Sequence, residues 1–162
     1  MNREELNQSS SGGAFTALSD WAFNNNYAVV CSSYDYDQHA QVFQFIDNVE
    51  QRDRARGSKY VQAMPNIPYR EMERWISDNA GKRILFVGLG CQAAAVARYA
   101  EIKEIRQSFI LVDIICHGVA SPRIWQEYIK QIEIQNGKVG YISFKDKRFG
   151  WESPIAVAKT NK

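Results

Sequence analysis

Two cysteines in this sequence lie where reactive or metal-binding thiols are often found, directly after apolar segments. Cys91 follows the run "RILFVGLG", and Cys116 follows "SFILVDII" and precedes His117. A thiolate is a nucleophile and a metal ligand, and an imidazole acts as a base or as a metal ligand. The pattern therefore leaves three possibilities open: a thiol enzyme, a metal site, or two packed cysteines without chemistry.

The sequence supports neither a hydrolase nor a zinc site well. In a hydrolase, Cys91 would be the nucleophile and His117 its base, but Leu89 stands where the nucleophile elbow has a small residue. A structural zinc site needs four ligands. Beyond the two cysteines and His117 the sequence offers only His39, which we expect at the surface of a polar turn.

Two loops rich in small residues form a second candidate site. The segment "QSSSGGAF", residues 8–15, has the composition of a linker, but glycines before a helix also suit an anion-binding loop. The second loop lies within residues 48–68 and contains "GSKY". Irregular segments of this length are uncommon in compact domains unless they have a function.

Composition excludes several classes of protein. The net charge of +2 over 162 residues does not favour nucleic acid or an anionic membrane as a partner. No apolar run approaches the roughly 20 residues of a membrane span, and the first residues lack the apolar core of a signal peptide. Three cysteines without a CxxC pair fit a reducing compartment. We therefore expect a cytoplasmic protein.

The first half of the chain is predicted to form helices around two strands. Serine at position 9, 10 or 11 is expected to cap the first helix, whose apolar side comprises Phe15, Leu18, Trp21 and Ala22. The predicted elements are a helix over 13–25, strands over 27–33 and 41–47, a short charged helix within 48–68 and a helix over 69–79.

The second half alternates strands and helices, which is typical of parallel α/β structure. The elements are strands over 83–90, 108–115 and 140–146 and helices over 91–100 and 122–135, with a further short strand expected within 151–162. The sequence thus predicts a single α/β domain with a mixed, largely parallel sheet flanked by helices. Ligands bind beyond the carboxyl ends of such strands, so Cys91 and Cys116 would share one rim.

Five motifs occur in the order and approximate spacing of a known family. They are "SSSGGAF", "RGSKYVQ", "FVGLGCQ", "LVDIICHGVASP" and "FKDKRFGW". Over residues 9–151 the sequence resembles the coenzyme F420 hydrogenase/dehydrogenase beta-subunit family. The resemblance implies an FAD-dependent oxidoreductase or electron-transfer domain. It further implies a redox partner subunit or a ferredoxin-like protein as partner.

The resemblance also implies which residues form the cofactor sites. Cys91 and Cys116 match cysteines that are plausible iron–sulfur ligands, whereas Cys31 matches no motif and is expected in the core. The motif "FKDKRFGW" would suit an anionic aromatic ligand, although a charged turn is the alternative. Its cations are Lys145, Lys147 and Arg148, and its aromatic residues are Phe149 and Trp151. The residues expected at the flavin are Ser10, Ser11, Gly12, Gly13, Gly57, Ser58, Lys59, Tyr60, Gln62, His117 and Lys147.

The sequence departs from the family pattern in three respects. Leu89 and Gly90 replace the Thr-Pro that usually precedes the first motif cysteine, and a ferredoxin-like segment with clustered cysteines is missing. The chain is also expected to be truncated at the C-terminus. Because a 4Fe–4S cluster takes four cysteine ligands, we predict no stable cluster in the isolated polypeptide. The alternative function is a redox-inactive binding or assembly module that retains the fold.

Overall fold

The computed structural model describes residues 3–64, 66–150 and 155–161. No helix in these ranges is long and apolar enough to cross a membrane. The helices are α1 (Arg3–Gln8), α2 (Ala14–Asn24), α3 (Val49–Ala55), α4 (Tyr69–Asp78), α5 (Gly90–Ile102) and α6 (Pro122–Asn136). The strands are β1 (Tyr27–Asp35), β2 (Ala40–Ile46), β3 (Arg83–Leu89), β4 (Phe109–Ile114), β5 (Val139–Ser143) and β6 (Val157–Thr160).

Four strands form the central sheet in the order β2-β1-β3-β4. Strands β1, β3 and β4 run parallel, and β2 pairs antiparallel with β1 through a short turn. The predicted α/β fold with a mixed, largely parallel sheet is therefore confirmed. Because β2 runs in the opposite direction, its first residues lie at the same rim as the carboxyl ends of β1, β3 and β4.

Both faces of this sheet are covered by helices. In β3, Ile84 and Phe86 pack in a cluster with residues of α4 and α5. Leu85 and Val87 point the other way and pack with residues of α2 and α3. Apolar side chains on successive residues of one strand explain why "ILFV" reads as a continuous apolar run, which is typical of a parallel sheet buried on both faces.

The expectation that residues 140–146 form a further parallel strand of this sheet is wrong. The strand observed there, β5, pairs antiparallel with β6 in a separate two-stranded sheet. Trp125 Nε1 of α6 donates to the Tyr34 hydroxyl at 2.8 Å, and Ile142 N donates to the Tyr36 hydroxyl at 3.3 Å. These contacts hold α6 and β5 near the end of β1, away from the free edge of β4.

The start of α2 also differs from the prediction. Its N-cap is Gly13, with a φ of 81°, and no side chain caps the helix. Trp21 is 43% exposed and contacts the Tyr27 ring, while Thr16 and Ser19 are buried. The short helix α1 was not predicted. The serines of residues 9–11 therefore connect two helices instead of capping one.

Candidate functional site

A cavity of about 520 Å³ lies at the carboxyl ends of the parallel strands. Its walls come from the loop before α2, the segment after α3 and the residues that follow β4. This is the position at which open α/β sheets bind ligands. It brings together many of the predicted site residues, namely Ser10, Ser11, Gly12, Gly13, Gly57, Ser58, Lys59, Tyr60, Cys116 and His117.

The loop before α2 presents backbone donors to the cavity. Residues 14–16 form the first turn of α2 and line the cavity, and their N–H groups precede the first intrahelical bond, from Ala17 N to Gly13 O. Gly13 adopts a left-handed conformation that a residue with a Cβ rarely adopts. A Cβ on Gly12 would meet no atom of the described chain within 4 Å. The wall is thus open backbone at a helix start, an arrangement suited to an anion.

The segment after α3 forms the facing wall and is tied to the loop. Ser58 N donates to Ser10 Oγ, and Gly57 has a φ of +103°, which requires glycine. Lys59 Nζ donates to Ala55 O at 2.6 Å and to Gly57 O at 3.1 Å. Burial lowers the pKa of Lys59 to about 8, so its ammonium loses its proton within the neutral to mildly alkaline range.

A strand-like connection joins two walls of the cavity. Gln62 N donates to Ala120 O and Ala120 N donates to Tyr60 O, each at 2.9 Å. Between this bridge and the end of β4, Cys116 and His117 are exposed at the cavity wall. Tyr60 is half exposed and also lines the cavity, whereas Gln62 does not. The bridge holds residues 115–119 as a strap at the entrance.

Two buried donors at the cavity were not found from the sequence. Gln41 is 4% exposed, and its Nε2 has no hydrogen-bond partner in the part of the chain that the structure describes. The same holds for Nε of Arg56, although its other nitrogens donate to Gln8 and Asp53. Unpaired buried donors are costly in a folded chain. Both nitrogens have almost no accessible surface, so they lie behind the cavity wall and do not face its interior. Arg56 does occur within the motif "RGSKYVQ", and that was the available signal.

The two motif cysteines occupy equivalent positions after neighbouring strands. Cys91 and Cys116 each come two residues after the paired residues Leu89 and Ile114, and both are exposed. Cys91 does not line the cavity that contains His117, so the geometry does not assemble a Cys91–His117 pair there. Cys31 is buried, as predicted, and burial raises the pKa of its thiol to about 12.

No metal centre is formed by the described residues. Within residues 3–64, 66–150 and 155–161, no three His, Cys, Asp or Glu side chains come together to hold an ion. His39, expected at the surface, is instead largely covered, and its Nε2 lies 3.3 Å from Glu133 Oε1. The Val139 N–H and His39 together lower the pKa of Glu133. His39 thus contacts Glu133 of α6 and does not line the cavity.

Lys147 does not line this cavity, but it hydrogen-bonds to the backbone of α1 and of the serine–glycine loop. Its Nζ donates to Leu6 O at 2.8 Å and to Ser11 O at 3.3 Å. Burial lowers the pKa of Lys147. It lines a second cavity of about 1020 Å³, which shares Ser10, Gly57, Ser58 and Lys59 with the first. Trp151, predicted with Lys147 as a ligand contact, lies outside the described residues.

A buried arginine supports the cavity walls from below. Arg52 of α3 is 3% exposed, and its Nη1 donates to Asp20 Oδ1 of α2 at 2.7 Å. The same nitrogen lies 3.5 Å from Thr16 O, while Nε donates to Asp53 Oδ1 at 2.5 Å. These contacts join the helix after the serine–glycine loop to the helix before Gly57. The sequence showed only a charged helix at this point.

Comparison with known families identifies the fold and its relatives. Residues 81–161 match the family model for the C-terminal region of the beta subunit of coenzyme F420 hydrogenase/dehydrogenase. The chain belongs to this beta-subunit family. The resemblance found in the motifs is thereby confirmed, and it relates the chain to redox and electron-transfer proteins.

A solved structure shares the fold of this beta-subunit family member. It is a chain of the F420-reducing NiFe hydrogenase complex from Methanosarcina barkeri, with a TM-score of 0.67 and 16% sequence identity. The match covers 99% of the present chain and 57% of that chain, so the present sequence spans just over half of its length. No curated protein matches the sequence.

Proposed function

We propose that this chain is a flavin-dependent oxidoreductase or electron-transfer domain and that the 520 Å³ cavity holds FAD. The observation that carries the proposal is the convergence of the glycine loop, the first turn of α2 and Lys59 on one cavity at the carboxyl rim of the sheet. When bound, a flavin supplies electron or hydride transfer between two partners. Residues 1–162 would form one such domain.

One end of the cavity suits the pyrophosphate of FAD. The glycine loop and the first turn of α2 offer backbone N–H groups, and the Arg56 side chain lies at the same wall. Lys59 adds a cation at the same wall. Backbone donors at a helix start together with an arginine and a lysine form a site that favours phosphate.

The other end suits an aromatic ring system. Val61, Ala63 and Val87 are buried apolar residues that line the cavity floor. Tyr60 and His117 stand at its mouth, where a ring face could stack on them. The volume of about 520 Å³ lies within the range of about 300–1,000 Å³ for small-molecule sites.

The residues do not fit a 4Fe–4S cluster in the same way. Such a cluster takes four thiolates, whereas the sequence has three cysteines, and one of them, Cys31, is buried beneath the cavity. Cys91 and Cys116 alone would leave the cluster without half of its ligands. We therefore derive no electron-transfer step through a cluster held by this chain alone.

An electron-transfer partner is expected at the mouth of the cavity. Ile115 is 88% exposed there, beside exposed Cys116 and His117. An apolar residue this exposed is typical of a contact surface when it adjoins a functional site. We propose a redox subunit or a ferredoxin-like protein as the partner and a cytoplasmic location, in keeping with three unpaired cysteines.

Titration of the purified protein with FAD tests the proposal. Wild-type protein should bind FAD with saturation, and Gly12→Val should weaken binding at least tenfold, since the valine side chain would enter the anion-binding loop. Gly140→Val is the matched control, because Gly140 also has open space at its Cβ position but does not line this cavity. Absence of binding to wild type would instead favour the redox-inactive module.

A further inference from the structure

Positive charge is concentrated in the second cavity, which has a volume of about 1020 Å³. Seven lysine or arginine residues line it, against the two carboxylates of Asp53 and Asp146. The whole chain carries a formal charge of only +2, so the residues elsewhere sum to a net negative charge. A concave surface lined by charge of one sign attracts the opposite sign and speeds its association. The occupant of this cavity is therefore expected to be anionic.

Several of these cations are already engaged by the chain itself. Lys59 Nζ and Lys147 Nζ each donate to two backbone carbonyl oxygens. Arg56 donates to the side chains of Gln8 and Asp53. A small anion such as phosphate is usually held by several donors that converge on it. Because these donors are committed to the chain, their arrangement does not favour a small anion held at one point.

The other cations are spread around the rim of the cavity. Lys159 is exposed, and its Nζ lies 5.0 Å from the centre of the Tyr141 ring. The Arg148 side chain is 61% exposed. Lys145 lies close enough to Lys147 to add to the lowering of the Lys147 pKa that burial causes. Like charges held this close together, on an open rim, are stabilised by carboxylates that reach them from outside.

This cavity adjoins the surface at which a partner is expected. Phe144 lines the second cavity, and its ring centre lies 6.2 Å from that of Tyr60, which lines the first. The two cavities also share the wall formed by Ser10, Gly57 and Ser58. A protein that covers the mouth of the first cavity can thus extend a segment into the second. The volume of the second cavity, at the upper limit of the range of about 300–1,000 Å³ for small-molecule sites, leaves room for such a segment.

We propose that the second cavity is a docking site for an acidic segment of a protein partner, whose carboxylates lie along the rim of lysine and arginine side chains. The inference rests on the proposed function only for the identity of that partner, a redox protein, because binding of the segment itself requires no FAD. Clusters of basic side chains recognise acidic motifs in this way. Each pair at an exposed rim is weak, so the contact mainly speeds association and sets orientation.

Fluorescence anisotropy with an acidic peptide tests this proposal on the full chain. The probe is a fluorescein-labelled peptide of alternating aspartate and glycine that carries six aspartates. Wild-type protein should bind it with saturation, and the affinity should fall as salt is added. Lys145→Glu and Lys159→Glu should each weaken binding about two- to fivefold, and the double variant about tenfold. Circular dichroism establishes that each variant is folded.

Lys82→Glu is the matched control for these variants. It changes the net charge equally, but Lys82 directly precedes β3 and lines neither cavity. An equal loss of affinity in Lys82→Glu would refute the proposal, because the charge of the whole protein would then attract the peptide. Displacement of the peptide by micromolar tripolyphosphate at constant ionic strength would also refute it and would make the cavity a site for a small phosphate compound.

Titration of the same protein with FAD separates this proposal from the proposed function. Protein that binds FAD but shows no saturable binding of the peptide would refute the docking site alone. Protein that binds the peptide in the lysine-dependent manner described, but does not bind FAD, would refute the flavin site and leave the docking site supported.

Discussion

Raising the pH from 7 to 9 should weaken FAD binding, because Lys59 loses its proton in this interval. Burial lowers its pKa to about 8, against about 10.4 for a solvated lysine. The charged form is therefore dominant below pH 8 and is lost above it. At a pKa of about 8 the protonated fraction falls from about nine-tenths at pH 7 to about one-tenth at pH 9, close to a tenfold decrease.

This change in protonation sets the expected size of the effect. A hydrogen bond from a charged donor to phosphate contributes about 1.5–3 kcal/mol, or at least tenfold in affinity. Because the charged form binds much more tightly, the Kd should follow the protonated fraction and rise up to about tenfold. Fluorescence titration of FAD at constant ionic strength measures this directly, and salt must be held fixed because ions screen the contact.

Two variants distinguish Lys59 from other titrating groups. Lys59→Arg carries a charge that persists throughout this range, so its Kd should stay level between pH 7 and 9. Lys59→Met should bind weakly at both pH values. If the Kd of Lys59→Met rises with pH as steeply as that of wild type, another group is responsible. A level wild-type profile would refute the placement of Lys59 beside the phosphate.

Three further predictions concern stability and reactivity. Arg52→Met should lower the free energy of unfolding by about 2 kcal/mol in urea, because it removes the hydrogen bonds by which the buried guanidinium joins α3 to Asp20 of α2. Arg54→Met, in an exposed pair with Glu50, should cost less than about 0.5 kcal/mol. Equal losses would contradict the buried network. Gly88→Ala should lower the free energy of unfolding by about 1–3 kcal/mol, since its Cβ would lie 2.8 Å from Phe86 Cε1. Gly140→Ala is the control, because a Cβ there has open space. Unchanged stability of Gly88→Ala would show that the Phe86 ring moves aside. In native protein, a thiol reagent should modify the exposed Cys91 and Cys116. Buried Cys31 should react only in denaturant, and its rapid reaction in native protein would contradict its burial.

The central strands could be predicted because their signal is local. Residues 84–87 are apolar on successive positions, and this pattern follows from burial on both faces of a parallel sheet. The partner of β5 could not be predicted in this way. Its pairing depends on contacts such as the one between Trp125 and Tyr34, which are 91 residues apart and leave no periodic trace in the sequence.

The candidate site was predicted in outline through its motifs. The serine–glycine loop and residues 57–60 do face one cavity, while Gln62, Cys91 and Lys147 lie outside its lining. The sequence did not single out Gln41 and Arg56, because the residue type alone does not show whether a glutamine or arginine side chain is buried. Their burial results from the packing of distant segments, and only the folded chain reveals that their donors lack acceptors.

The contacts of Lys147 also determine when during folding the cavity can be completed. Its hydrogen bonds to Leu6 O and Ser11 O join residues that are 141 and 136 positions apart. Such contacts carry a large loop-closure entropy and form late relative to local structure. During synthesis, the final position of the serine–glycine loop can therefore be fixed only after residue 147 has left the ribosome. A ligand held by this loop, as proposed above, would therefore be captured only after nearly all of these residues have been translated.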